Sequence, residues 1–184
     1  MKALETGRLI LRAWSLDDLN DFFEMASGPN VGPNAGWKPH ENKADSLATL
    51  NRFIDKDETW AVVEKTSGKA VGAVGLHKDD KRDFDGARML GFMLNQSYWG
   101  RGYMTEAAER ALEFAFFDMG LAIVSACYFP GNHRSRRVIE KLGLRHEGVL
   151  RMCGVLYNGM VCDEICCSIT REEYAKRRSS AYSV

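Results

Sequence analysis

Leu90-Gly91-Phe92-Met93-Leu94-Asn95-Gln96-Ser97-Tyr98-Trp99-Gly100-Arg101-Gly102-Tyr103-Met104-Thr105-Glu106-Ala107 passes from an apolar run through a glycine-rich turn into a helical pattern. A strand is expected over about Arg88 to Asn95. A helix is expected from about Met104 to Met119, where Ala108, Leu112, Ala115 and Met119 recur at helical spacing and Gly120 marks the stop. Glu106 and Arg110 form a favourable i,i+4 pair on it. Gly100 and Gly102 carry no side chain, so the backbone can curl and bring successive N–H groups to one point. The first N–H groups of a helix have no intrahelical partner and sit at the positive end of its dipole. A diphosphate is held well by such donors, and Arg101 is placed to add a charge-assisted contact. The turn is no Walker A loop, since GxxxxGK[ST] is absent. It is not GxGxxG either, because Tyr103, Met104 and Thr105 follow the second glycine. Taken alone, a GxG serves a plain strand-to-helix connection equally well.

On the N-terminal side, Arg8 to Arg12 reads as a short strand. Ser15, with Asp18 three residues on, reads as a capping-box start. The helix that follows carries Leu16, Leu19, Phe22, Phe23 and Ala26 and stops at Gly28-Pro29. A Gly-, Pro- and Asn-rich loop to Asn42 holds Trp37 and His40, and a second helix is expected from about Lys43 to Asp55. Strands are expected over Thr59 to Lys65 and Ala70 to His77 around the turn Thr66-Ser67-Gly68-Lys69, followed by a polar loop, Lys78 to Gly86. On the C-terminal side, Leu121 to Phe129 is a continuous apolar run, as for a strand covered on both faces. A helix from Asn132 to Leu142 stops at Gly143. Two last strands, Leu144 to Leu156 and Met160 to Thr170, flank Tyr157-Asn158-Gly159. The polar tail after Arg171 reads as a short helix fraying into disorder over about 179–184. The order β-α-α-β-β-β-α-β-α-β-β predicts one α/β (α+β) domain spanning 1–184. Its sheet is mixed, mostly antiparallel and of about seven strands, with helices on both faces.

Twenty-five Lys and Arg are balanced by 25 Asp and Glu, so no global field draws the chain to nucleic acid or to an anionic membrane. The N-terminus lacks the apolar core of a signal peptide, and the longest apolar run is too short to span a bilayer. A cytoplasmic protein is the expectation. Five cysteines without CxxC speak against a disulfide framework. Of the cluster near the C-terminus, Cys162 and Cys166 share a strand face but stand about 13 Å apart, and Cys167 points the other way. No metal site is expected there.

The stretch Tyr98-Trp99-Gly100-Arg101-Gly102-Tyr103-Met104-Thr105-Glu106-Ala107 resembles the acetyl-CoA loop of the GNAT superfamily of N-acetyltransferases. More narrowly, it is similar to the WGxGYxTEA pattern of the RimJ/RimL-type branch. Against the superfamily form [Q/R]xxGx[G/A], Trp99 and Met104 depart, and both are at home in that branch. The likeness extends over nearly the whole chain. Thr6-Gly7-Arg8-Leu9-Ile10-Leu11-Arg12 matches TxRLxLR, Val71 to Gly75 matches the third-strand motif, and Asn132 to Leu144 matches NxxSxxVxEKxGF. Tyr157-Asn158-Gly159 with Asp163 and Ser168 matches the C-terminal pattern.

The resemblance implies a sheet with two central strands splayed into a V that holds acetyl-CoA. It implies transfer of the acetyl group to a primary amine, a protein N-terminus or a small molecule, by direct attack in a ternary complex. Met93 and Leu94 would offer backbone groups to the pantetheine. Gly100, Arg101, Gly102, Tyr103, Met104 and Thr105 would hold the diphosphate, and Asn132 would bond the pantetheine arm unless it is only a helix cap. Ser135 is the candidate acid for the leaving thiolate, and a main-chain N–H near Leu94 the oxyanion donor. The Glu that this branch often places before the final turn is missing: Leu150 to Leu156 carries no carboxylate. His77, His40 or a water chain is left as the base. Trp37 and His40 are expected on the acceptor side. Strands at the C-terminal sheet edge would support a homodimer. The alternative from another class is a CoA-binding sensor or interaction module without catalysis.

Overall fold

The structure, a computed structural model, describes residues 1–181. Eight strands form one open sheet: β1 (Leu4–Glu5), β2 (Leu9–Arg12), β3 (Thr59–Glu64), β4 (Ala70–Lys78), β5 (Ala87–Leu94), β6 (Ile123–Tyr128), β7 (Arg145–Val155) and β8 (Val161–Thr170). Their spatial order is β1-β2-β3-β4-β5-β6-β8-β7. Every neighbouring pair is antiparallel except β5 with β6. The strand beyond the expected seven is β1. Its two residues are too few to show a period, and it forms by pairing Leu4 with Leu11 and Glu5 with Ile10.

The helices are α1 (Leu19–Ala26), α2 (Val31–Asn34), α3 (Lys43–Lys56), α4 (Tyr103–Glu113), α5 (His133–Lys141) and α6 (Arg171–Ala181). A 3-10 turn, Leu16–Asp18, leads into α1. Its box forms as expected: Ser15 N–H donates to Asp18 Oδ2 at 2.9 Å, and Arg12 grips the same carboxylate at 2.7 and 2.8 Å. Helix α4 runs on through a π-type turn, Phe114–Asp118. Helix α2 lies inside the segment read as pure loop. Trp37 covers it so closely that a Cβ on Gly32 would stand 2.6 Å from Trp37 O. Helix α6 carries 179–181, so that part of the expected tail is helical; 182–184 lie outside the described residues.

The sheet divides the interior into two apolar layers. On one face Val74, Leu76, Leu90 and Leu94 pack with Ala107, Ala108, Ala111 and Leu112 of α4, Ile139 of α5 and Tyr174 of α6. On the other, Ala61, Val63 and Ala73 pack with Phe22, Met25, Val31 and Leu50 of α1–α3. Burial of both layers supplies the main driving force. The two-residue alternation of the strands assigns their side chains to one layer or the other. Among the described residues, no helix is long and apolar enough to cross a membrane.

Candidate active site

Strands β5 and β6 are bonded only at Ala87–Ile123, Arg88–Val124 and Met89–Ser125. Beyond Met89, β5 continues to Leu94 beside β4 alone, and β6 continues to Tyr128 beside β8 alone. Each keeps its outer partner, so a wedge opens between them. Asn95 N–H donates to Val71 O at 2.8 Å, and the β4–β5 register runs without a bulge. By strand alternation the main-chain groups of Phe92 and Leu94 therefore face the wedge, while those of Met93 turn to β4. The expectation that Met93 offers its backbone is corrected accordingly; it is the residue itself that borders the cavity. The carbonyl of Leu94 accepts from Trp99 Nε1 at 2.9 Å, so its N–H is the group left turned to the opening.

A cavity of about 400 Å³ lies against the free end of β5 and is walled by the start of α4 and by α5. The predicted residues Met93, Leu94, Gly100, Gly102, Tyr103, Met104, Thr105, Asn132 and Ser135 come together on its wall. Gly100 and Gly102 both have φ +79°, the left-handed region where an L side chain is strained. Gly102 is the N-cap of α4 and supplies no side-chain cap, so the amides of the first turn remain available at the mouth of the cavity. Asn132 caps α5: its Oδ1 accepts from Ser135 N–H at 3.1 Å, and its Nδ2 donates to Asn34 O at 2.8 Å across the cleft.

Four predicted site residues stand elsewhere. Arg101 folds back: its guanidinium donates to Ser97 O at 3.1 Å and lies 5.0 Å over the Tyr98 ring, away from the cavity wall. The cations on that wall are Arg134, Arg137 and Lys141 of α5, with Arg134 stacked 4.3 Å over Trp99. Sequence reasoning missed them, although the basic run Arg134-Ser135-Arg136-Arg137 at a helix start was a visible signal. Trp37 and His40 pack on each other, with centroids 5.3 Å apart, and against the α1–α3 layer. His40 Nδ1 meets Ser46 Oγ at 2.8 Å, and burial lowers its pKa. Neither borders the cavity, whereas their predecessors Asn34 and Ala35 do. His77 lies on the face opposite α4. A Cβ on Gly91 would come within 3.1 Å of its ring, and its Nδ1 stands 3.6 Å from Glu58 Oε2. The imidazole therefore overlies β5 two residues past the last β5–β6 pair, on the side of the wedge away from α4 and α5.

Cys166 comes close to Cys127, not to Cys162: the two sulfurs are 3.3 Å apart across β6 and β8, and burial pushes the Cys127 thiol up to about 12. Cys127, Glu164 and Cys166 bring their ligating atoms within 4.8 Å of one another. Lys81 Nζ lies 3.2 Å from the Glu164 carboxylate, so a cation already balances that group.

The donor set fits an elongated anionic thioester. Main-chain N–H groups and three cations suit phosphates, and Phe92, Leu94 and Val138 add apolar wall. A sheet parted in this way, with a helix start beside the parting, suits an enzyme that works from a carrier with a phosphate tail. The sequence pattern of the acetyltransferase (GNAT) domain matches residues 8–145, and the chain belongs to that family. It is 24% identical over 180 residues to the uncharacterized N-acetyltransferase p20 of Bacillus licheniformis, covering 95% of this chain and 99% of that protein. A GNAT-family acetyltransferase from Bacillus anthracis superposes with a TM-score of 0.84 at 26% identity, over 94% of this chain and 100% of that one. The ribosomal-protein-S5-alanine acetyltransferase of Vibrio fischeri shares the fold, with a TM-score of 0.73 at 21% identity over 95% and 99% of the two chains. The chain is thus an acetyltransferase of a family that uses acetyl-CoA.

Proposed function

We propose that this acetyltransferase moves the acetyl group of acetyl-CoA to a primary amine, either a protein N-terminal α-amine or a small-molecule amine, by direct attack in a ternary complex. One observation carries the reading: the wedge past Met89 leads from the amides at the start of α4 to bare backbone of β5. Acetyl-CoA supplies an activated thioester carbonyl. The amides of Gly102 to Thr105 and the cations Arg134, Arg137 and Lys141 hold its phosphates. The second Nδ2 hydrogen of Asn132 meets the pantetheine arm. The N–H of Leu94 stabilises charge developing on the carbonyl oxygen, and the Ser135 hydroxyl gives the leaving sulfur its proton.

The amine arrives on the opposite face, where the His77 ring overlies Gly91. His77, steadied by Glu58, takes the amine's proton. Placement in the RimJ/RimL-type branch is supported by the Trp99 to Ala107 motif and by the likeness in fold to the ribosomal-protein acetyltransferase. A homodimer belongs to the same reading. It is supported by β7, a sheet-edge strand whose hairpin exposes Met152 at 75% and Val155 at 71%.

Release of free CoA, followed across a panel of amines and N-terminal peptides, tests the reaction. Ser135→Ala is expected to cut turnover about a hundredfold, the lower end for a lost acid catalyst, while CoA affinity by calorimetry stays within about twofold. Equal loss of turnover and affinity would make Ser135 a binding residue instead.

A further inference from the structure

The opening Thr6-Gly7-Arg8 and the Glu106 of the turn-helix motif have no part in the chemistry above, yet they meet across almost a hundred residues. Thr6 Oγ1 donates to Glu106 Oε1 at 2.5 Å, and Arg8 N–H donates to the same oxygen at 3.0 Å. The Arg8 guanidinium donates to Glu106 Oε2 through Nε at 2.7 Å and stands 2.6 Å from it through Nη2. Its Nη1 donates to Arg101 O at 3.0 Å, and its plane lies 4.6 Å over the Tyr103 ring.

One side chain thus touches the carbonyl in the middle of the glycine turn, the first residue of α4 and the carboxylate of the helix's first turn. Two consequences follow from charge alone. A carbonyl oxygen facing a bound phosphate would repel it, and Arg8 holds that of Arg101 towards the N-terminal strand. A carboxylate in the first turn of α4 would repel the same phosphate, and Arg8 neutralises it. Burial alone would raise the pKa of Glu106, but the bonds from Thr6 and Arg8 hold it below its ordinary value, so it is an anion that needs this partner.

We propose that Arg8 is a positioning residue for the diphosphate turn and that Glu106, fixed by Thr6, is the anchor that aims it. The pair would set the affinity for the phosphate-bearing half of the acyl donor without touching it. The inference rests on the reading that the turn binds a diphosphate. It separates Glu106 from a simple surface charge. If Glu106 acted only through its charge, Glu106→Gln would strengthen binding of an anion. As an anchor, its loss frees Arg8 and Arg101 O and weakens binding.

The test needs no acceptor: calorimetric affinities for CoA and for pantetheine, which lacks the diphosphate, measured on the wild type, Arg8→Gln, Glu106→Gln and the double variant. Wild type is expected to bind CoA far more tightly than pantetheine. Each single variant is expected to lose about tenfold in CoA affinity, the scale of one charge-assisted hydrogen bond, with pantetheine affinity unchanged. The double variant should be no weaker than Arg8→Gln. Tighter CoA binding by Glu106→Gln, or parallel losses for both ligands, would overturn the proposal. If Arg8→Gln does not fold, Arg8→Lys gives the same readout, since Lys keeps the charge but not the fork. Equal wild-type affinities for CoA and pantetheine would overturn the diphosphate reading itself, and the role of the Arg8–Glu106 pair with it.

Discussion

Gly102 shows how much one residue can decide. Its φ of +79° is a conformation that costs an L residue about 1–2 kcal/mol, and the nearest atom to an added Cβ is Arg8 Nη2 at 3.6 Å. A Gly102→Val substitution would strain the turn, crowd the first amides of α4 and push Arg8 off Arg101 O. CoA affinity measured by calorimetry is expected to fall tenfold or more, the equivalent of that strain; an unchanged affinity would remove the turn from the site. Gly100 and Gly102 could be read from the sequence because backbone freedom belongs to the residue itself. The fate of Arg101 could not, because Ser97 O and the Tyr98 ring compete with the cavity for its guanidinium.

Elements are joined by groups that no local pattern reveals. The loop after β4 carries Asp79, 2% exposed, which accepts from Ser125 Oγ at 2.6 Å and from Arg82 Nη1 at 2.7 Å. Arg82 also reaches Glu147 of β7, which accepts from Ser168 Oγ of β8 at 2.7 Å. One network thus ties the loop to β6, β7 and β8, the outer wall of the wedge. Burial pushes both carboxyl pKa values up, but their hydrogen bonds and Arg82 outweigh it and hold both below the ordinary values of 3.8 and 4.5. A depressed folded value means stability that is present above the carboxylate range and lost as the pH falls through it. Asp79→Asn is expected to lower the unfolding free energy at neutral pH by about 3 kcal/mol, the cost of breaking a buried pair from one side. Urea unfolding should show the gap to wild type narrowing as the pH falls below the ordinary carboxylate range, where the wild-type carboxyls also protonate. A gap independent of pH would assign the loss to packing.

At the scale of the whole molecule, the sheet has an exposed end. Strand β7 closes the order, and the exposed side chains of its hairpin include Val149, Met152, Val155, Met160 and Val161. An unpaired edge with apolar side chains favours pairing with another such edge. Sedimentation velocity is expected to show a dimer that dissociates in the Met152→Lys, Val155→Lys double variant. CoA affinity should not change, because neither residue borders the cavity. A wild-type monomer at micromolar concentration would sink the dimer reading. The same hairpin leans back over the wedge through Tyr157 N–H to Gly36 O at 2.9 Å, so the edge and the site belong to one piece of structure.

The order of elements, β1 and α2 excepted, the two-faced sheet and the glycine turn ahead of α4 were determined by the sequence alone. Apolar period, helix caps and glycine freedom act over a few residues and are written where they act. Ser135 was named by the resemblance of Asn132 to Leu144 to a family motif, and it lines the cavity. Only the tertiary structure decided that β5 and β6 part after Met89, because the parting depends on outer partners, β4 and β8, that are distant in sequence. It also decided that α5 supplies the cavity's cations, that Asn132 meets Asn34, and that Trp37 and His40 pack into a layer instead of facing the cleft. Contacts between residues dozens of positions apart are settled by competition for space and charge in three dimensions, and no local pattern records the winner.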